Sequence, residues 1–218
     1  MNKILNKVEG QLRIGISVGM GHEILKPVLG KFMLQYPNIK LQLNLLNRRV
    51  DVIEEGFDLV IRIGELDDSR LIAKRLGRIN RTLYASPDYL THHNPVTSPS
   101  QLTQYDFLFM NSAQNNNHLL LTSGKKQYDV QVIPKMEIDD FLILKQMVIE
   151  GVGVAIIPDY MCQQALHEKT LTRVLPNWGM PEIDVYALYP KNRLNIPKVK
   201  AFMDFIQAAF IQKLKNNV

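Results

Sequence analysis

Cysteine occurs once in this chain, at Cys162, which excludes an internal disulfide and any site built on paired thiolates. Long apolar runs are missing as well, and no stretch approaches the roughly 20 residues that cross a bilayer. The opening residues Met1 to Gly10 carry charge but no apolar signal core and no small-residue cleavage site. These absences predict a cytoplasmic protein without membrane contact. The formal charge is +5, yet the cations are spread out: Arg48-Arg49, Lys74-Arg75, Arg78, Arg81, Lys125-Lys126, Lys213 and Lys215 form no single block. RNP, zinc-finger and helix-turn-helix patterns are all lacking, so the excess reads as a mildly basic solvated surface rather than a nucleic-acid stripe.

Catalytic sets are equally scarce. The five histidines, His22, His92, His93, His118 and His167, have no His, Cys or carboxylate partner at zinc-ligand spacing, and no metal site is expected. Ser17 ends a strand, but its neighbours Ile16 and Val18 do not make the glycine-flanked elbow of a nucleophilic serine. Cys162 has no basic neighbour to lower its pKa and reads as a half-buried structural thiol. Of the acid pairs, Glu54-Glu55 ends a short helix, Asp67-Asp68 is a loop, and Asp139-Asp140 opens a helix where the dipole favours negative charge. None supplies two differently tuned carboxylates, so no enzyme is expected. Gly19-Met20-Gly21 imitates a dinucleotide fingerprint, but Ile24 stands where the third glycine belongs and no acid closes the second strand. No cofactor is expected. What survives is more general: the start of the His22 helix, beside the Ser17 hydroxyl, offers N–H groups to a carboxylate or phosphate.

What the chain has is clear periodicity. Gln11–Val18 alternates with Leu12, Ile14, Ile16 and Val18 on one face, a strand signature. His22–Tyr36 switches to a helical stripe of Leu25, Val28, Leu29, Phe32 and Tyr36, and Pro37-Asn38 breaks it. Ile39–Leu46 alternates again, Val50–Glu55 is a short helix with Gly56 as its left-handed cap, and Phe57–Ile63 is a strand. The order β-α-β-α-β predicts a mostly parallel sheet covered on both faces.

From Ser86 the texture changes, with Ser86-Pro87-Asp88 and Ser98-Pro99 reading as helix starts. Strands are expected at Thr82–Ala85, Phe107–Met110, His118–Thr122, Tyr128–Pro134, Val154–Ile157 and Ile183–Tyr189. Asn111–Asn117 reads as a polar loop, Phe141–Glu150 as a helix closed by Gly151, and Pro197 opens a last helix striped with Val199, Phe202, Met203, Ile206 and Phe210. Two α/β subdomains fit, with a double crossover that leaves the first near Ser86 and returns near Pro181.

Four segments in this order, Glu54–Gly64 (EEGFDLVIRIG), Leu71–Gly77 (LIAKRLG), Tyr84–Leu90 (YASPDYL) and Gly151–Pro158 (GVGVAIIP), give the chain its resemblance to the effector-binding domain of LysR-type transcriptional regulators. The resemblance runs from about Gly10 to about Leu214. It implies a type 2 periplasmic-binding-protein-like fold, with subdomain I at 10–86 plus 182–218, subdomain II at 87–181 and an interdomain cleft. Residues 1–9 are then the end of a linker helix or a remnant, and the chain is a fragment or truncated product lacking the family's N-terminal winged helix-turn-helix.

The same resemblance implies a small-molecule effector, anionic by the helix-start argument, and names its site. From the first lobe come Ser17, Val18, Gly19, Asn47, Arg48, Arg62, Ile63 and Gly64. From the second come Phe109, Met110, Asn111, Asp139 and Asp140. It further implies a homodimer (a tetramer at full length) with contacts at Ile24, Val28, Lys31, Phe32, Leu144 and Val148, and DNA binding only through the absent domain. Two other readings stay open: a stand-alone solute-binding protein, against which the missing export signal counts, and an enzyme on a related fold, against which the missing catalytic set counts.

Overall fold

The computed structural model describes residues 8–64, 69–111, 117–193 and 196–215. In chain order the strands and longer helices are β1 (Gly10–Ser17), α1 (Lys26–Gln35), β2 (Ile39–Leu46), β3 (Leu59–Ile63), β4 (Leu71–Ala85), α2 (Pro87–Thr91) and β5 (Phe107–Met110). There follow β6 (His118–Ser123), β7 (Lys126–Gln131), β8 (Pro134–Ile138), α3 (Phe141–Ile149), β9 (Ala155–Pro158), α4 (Asp159–His167), β10 (Thr172–Pro190) and α5 (Pro197–Lys215). The chain divides into two compact units, 1–78 with 183–218 and 79–182. Strands β4 and β10 each run from one unit into the other, so the chain crosses twice.

In the first unit β1 is central and pairs in parallel with β2 (Ile14 beside Leu43) and with β3 (Ile14 beside Leu59). Alternation along β1 buries Leu12, Ile14 and Ile16 completely, because a strand covered on its faces excludes water from every second side chain. The sheet of this unit is mostly parallel, as expected; β10 alone among these strands returns antiparallel, to β3, with Tyr186 opposite Arg62. Helix α5 seats its whole expected stripe, Val199, Phe202, Met203, Ile206 and Phe210, in the core. Phe202 meets Phe32 of α1 edge to face at 5.1 Å, the arrangement an aromatic quadrupole favours.

Helical backbone begins earlier than the stripe suggests. A turn at Val18–Met20 and a wider π-turn at Gly21–Leu25 precede α1, so the helix starts at Ser17 rather than His22. A side chain on Gly21 would place its Cβ 2.4 Å from Leu45 Cδ2 and would require that exposed leucine to shift. The expected helix Val50–Glu55 is corrected to hydrogen-bonded turns (Glu55 N–H to Asp51 O and Gly56 N–H to Ile53 O, both 3.0 Å). One turn is too short to propagate, and Gly56 at φ +70° ends it.

The second unit holds the antiparallel pair β4–β9 (Leu83 opposite Ile156), the hairpin β6–β7 and the parallel pair β5–β8. Its core gathers Leu83, Phe107, Phe109, Leu119, Leu121, Val154 and Ile156. Ser86 Oγ caps α2 by accepting from Tyr89 N–H at 3.2 Å, and Gln101 Oε1 closes the Ser98-Pro99 start by accepting from Ser98 N–H at 3.0 Å. Expected Thr82–Ala85 is only the end of the longer β4, and Ile183–Tyr189 lies within β10. Tyr128–Pro134 splits into β7 and β8, with Pro134 at a strand's first position, where no ladder N–H is demanded.

Helix α4 has no counterpart in the sequence reading. Tyr160, Met161, Cys162 and Ala165 are all buried, so it lacks the polar-apolar alternation that marks a surface helix. Cys162 is fully rather than half buried. Buried Asp159 at the start of α4 is answered by Thr82 Oγ1 (2.8 Å) and Arg173 (3.3 Å). Residues 1–7, Asp67-Asp68 and positions 112–116 of the asparagine-rich loop lie outside the described residues.

Candidate functional site

Parallel pairing sets the carboxyl ends of three strands side by side in the first unit. Ser17 stands opposite Leu46 and Ile16 opposite Ile61. Ser17-Val18-Gly19, Asn47-Arg48 and Arg62-Ile63-Gly64 therefore follow neighbouring strand ends, the place where open α/β sheets collect ligands. Ser17 occupies the N-cap position with φ −59° and ψ 145°, but its hydroxyl caps nothing. Its Oγ is buried with no hydrogen-bond partner among the described residues. A hydroxyl left unpaired at a helix start costs free energy and suits a ligand acceptor or donor.

The two arginines differ. Arg48 is exposed and spends its fork on Glu55, donating from Nη1 and Nη2 at 2.9 and 2.7 Å. The pair strengthens both charges, raising the Arg48 pKa and lowering that of Glu55, chiefly through their hydrogen bond. Its guanidinium is engaged within the turn rather than held open for an effector carboxylate. Arg62 is half-buried on β3, as is Ile63, and Gly64 at φ +93° turns the chain out, its N–H bound to Asp184 O at 3.0 Å.

The second unit contributes the ends of β5 and β8. Met110 pairs with Ile138, and Asn111 N–H donates to Ile138 O at 2.7 Å, which brings Asn111 beside Asp139. Phe109 is buried, Met110 half-buried, and Asn111 and Asp139 exposed. Asp140 caps α3: its Oδ1 accepts from Leu142 N–H at 2.8 Å and from Ile143 N–H at 3.0 Å. That carboxylate is already used.

The proposed contact residues divide sharply. Ile24, Phe32, Leu144 and Val148 are at most 2% exposed within their own units and offer no surface to a partner. They followed the apolar stripe, and the apolar face of a helix is the one that its own core takes first. Val28 is partly exposed and Lys31 exposed.

Sequence reasoning missed Arg81. On β4 it occupies the inward phase of Ile79, Leu83 and Ala85, all at most 1% exposed. It borders a cavity of about 220 Å³ whose other walls include Phe107, Phe109, Met110, Leu119 and Met180. Period-two alternation with a cation in the buried phase was the available signal. Among the described residues no group of three or more His, Cys, Asp or Glu is placed to hold a metal ion.

Two α/β units, a double strand crossing and strand ends that converge on a helix start define a type 2 periplasmic-binding-protein-like fold. The regulator CrgA of Neisseria meningitidis shares it, with a TM-score of 0.85 over 94% of this chain and 70% of that one, at 24% identity. Residues 6–211 match the LysR substrate binding domain family, and the chain belongs to that family. It is 33% identical to an HTH-type transcriptional regulator of Xanthomonas campestris (90% of this chain, 58% of that protein) and 30% identical to an HTH-type transcriptional repressor of Pseudomonas aeruginosa (93% and 65%). The chain thus spans about three fifths of the curated relatives it matches. The full-length virulence activator AphB of Vibrio cholerae aligns at 27% identity with a TM-score of 0.82, covering 92% of this chain and 69% of that one. These relatives are transcription regulators, and the domain is regulatory, not enzymatic. No described helix is long and apolar enough to cross a membrane.

Proposed function

We propose that this chain is the effector-sensing part of a cytoplasmic LysR-type regulator, which binds a small anionic molecule and pairs with a second copy of itself. The observation that carries the reading is the buried Ser17 hydroxyl, without a partner among the described residues and set at a helix start beside the ends of three strands. The helix dipole and free N–H groups there favour a carboxylate or phosphate, and Arg62 on the neighbouring strand end is near enough in register to add a charge-assisted bond. In the second unit, Asn111 and Asp139 at the ends of β5 and β8 are polar groups at strand ends of their own. Binding that favours one arrangement of the protein over another shifts a pre-existing equilibrium, which is how such a domain acts as a switch.

Self-association is supported by the edge position of β2 and an open apolar groove beside it, lined by Leu29, Met33, Leu43 and Leu45. An unpaired edge next to apolar surface invites a copy of itself, through an isologous contact. Operator recognition belongs to helix-turn-helix residues that this stretch does not carry. A thermal-shift screen of small anions, followed by calorimetry, tests the site. Ser17→Ala is expected to weaken a hit by about 0.5–1.5 kcal/mol, and by more if the partner is charged. Unchanged affinity in both Ser17→Ala and Arg62→Ala places the ligand elsewhere.

A further inference from the structure

Arg81 combines three properties seldom found together. Its Nη2 donates to the Pro181 carbonyl at 3.1 Å. Its Nε is buried with no hydrogen-bond partner among the described residues. Burial alone pulls its pKa below the ordinary guanidinium value, with no carboxylate acting against that pull. Arginine stays protonated in any protein setting, so this is a half-buried charge whose Nε edge has no partner among the described residues. Such a group is costly unless something negative meets it.

Beside it lies the cavity of about 220 Å³, walled by Phe107, Phe109, Met110, Leu119, Ile156 and Met180. All these residues belong to the second unit. An apolar cavity of about 150 Å³ is enough to admit benzene. The space here therefore takes a substituted ring or a branched alkyl chain, while water gains little from walls that offer so few polar partners. A cation on an apolar cavity defines an amphipathic ligand: an apolar body with an anionic head at the guanidinium edge.

We infer that the second unit holds a subsite for an aryl or branched-alkyl monocarboxylate, its carboxylate on the Nε edge of Arg81 and its apolar body among Phe107, Phe109, Leu119 and Met180. The inference rests on the effector-sensing reading, since Phe109 and Met110 are among the effector-site residues that the family resemblance implies, and it names the chemical class. Arginine gives the head its direction, and the walls give selectivity against hydrophilic anions.

Calorimetry on the 218-residue chain with phenylacetate, its neutral isostere phenylacetamide, and succinate tests it. Phenylacetate is expected to bind at least ten-fold more tightly than phenylacetamide. Arg81→Met, which keeps the apolar stem, is expected to abolish that preference, with the melting temperature recorded to confirm folding. Leu119→Trp, which fills the cavity, is expected to remove binding of both aryl compounds. Equal affinity for acid and amide in the unaltered chain overturns the inference and needs no variant. So does phenylacetate binding that survives Arg81→Met, or no phenylacetate binding at all. Succinate binding that is lost in Ser17→Ala while phenylacetate fails to bind overturns this subsite and leaves the effector-sensing reading standing.

Discussion

Lys198 Nζ lies 3.2 Å from Asp58 Oδ2, an ion pair that joins the last helix to the turn before β3. Asp58 is 5% exposed and also accepts from Arg13 N–H at 3.0 Å and meets Arg193 at 3.0 Å. Lys198 in turn donates to the Gln11 carbonyl. One carboxylate thus ties β1, the 3₁₀ turn at Lys191–Arg193 and α5 together. Asp58→Ala strands all three donors. It is expected to destabilise by about 2–3 kcal/mol, below the roughly 3–5 of a fully buried broken pair because both cations keep some water. Urea unfolding checks the figure.

Gly153 has no room for a side chain. A Cβ there would sit 2.1 Å from the Asp106 carbonyl oxygen, which is held in place by Val154 N–H at 2.8 Å. Gly153→Ala is therefore expected to cost about 3 kcal/mol, the upper end of the overpacking range. Gly151 is a different case, at φ +80° just past α3, and Gly151→Ala is expected to cost only about 1–2 kcal/mol of backbone strain. Thermal melts of the two variants separate the mechanisms, and a smaller loss in Gly153→Ala than in Gly151→Ala contradicts the assignment.

Asp184 couples stability to acid pH. The hydrogen bond from Arg78 (3.1 Å), joined by Arg75 (2.8 Å), holds its carboxyl below the ordinary carboxylate range. A depressed folded pKa means that the unfolded chain takes up the proton first. The stabilisation is then complete above the unfolded value of about 4 and is lost as pH falls through the folded one. Asp184→Asn should be less stable than the parent at pH 6, with the gap closing as pH drops below about 4. A gap that stays constant down the acid limb would sink this account.

Ser17→Ala should separate stability from binding. Its hydroxyl has no partner to lose among the described residues, so the ligand-free variant is expected to match the parent or gain up to about 1 kcal/mol. Its stabilisation by a bound anion should shrink. A clear loss of stability without ligand means that the hydroxyl is bonded inside the protein.

Legibility followed local periodicity. The stripe of α5, the burial of β1 and the serine, aspartate and glycine caps at Ser86, Asp140 and Gly151 were all readable, because each depends on residues a few positions apart. Helix α4 was not, since a helix buried on most sides has no polar face to show its period. The turn at Asp51–Gly56 looked helical by composition but was too short to nucleate. For the contact residues, an apolar stripe marks only that a helix face is covered, and Ile24, Phe32, Leu144 and Val148 are covered from within.

The sequence by itself determined the family, the α/β alternation and which polar groups stand near the strand ends, because periodicity, caps and ordered motifs are properties of neighbouring residues. Tertiary structure alone decided which of those groups are already spent. Arg48 meets Glu55 and Asp140 meets its own helix, whereas the Ser17 hydroxyl meets no partner among the described residues. It also decided that Arg81 borders an apolar cavity whose lining, among the described residues, holds no carboxylate. Whether a polar group is satisfied depends on partners brought in from distant parts of the chain, and only the folded packing supplies or withholds them.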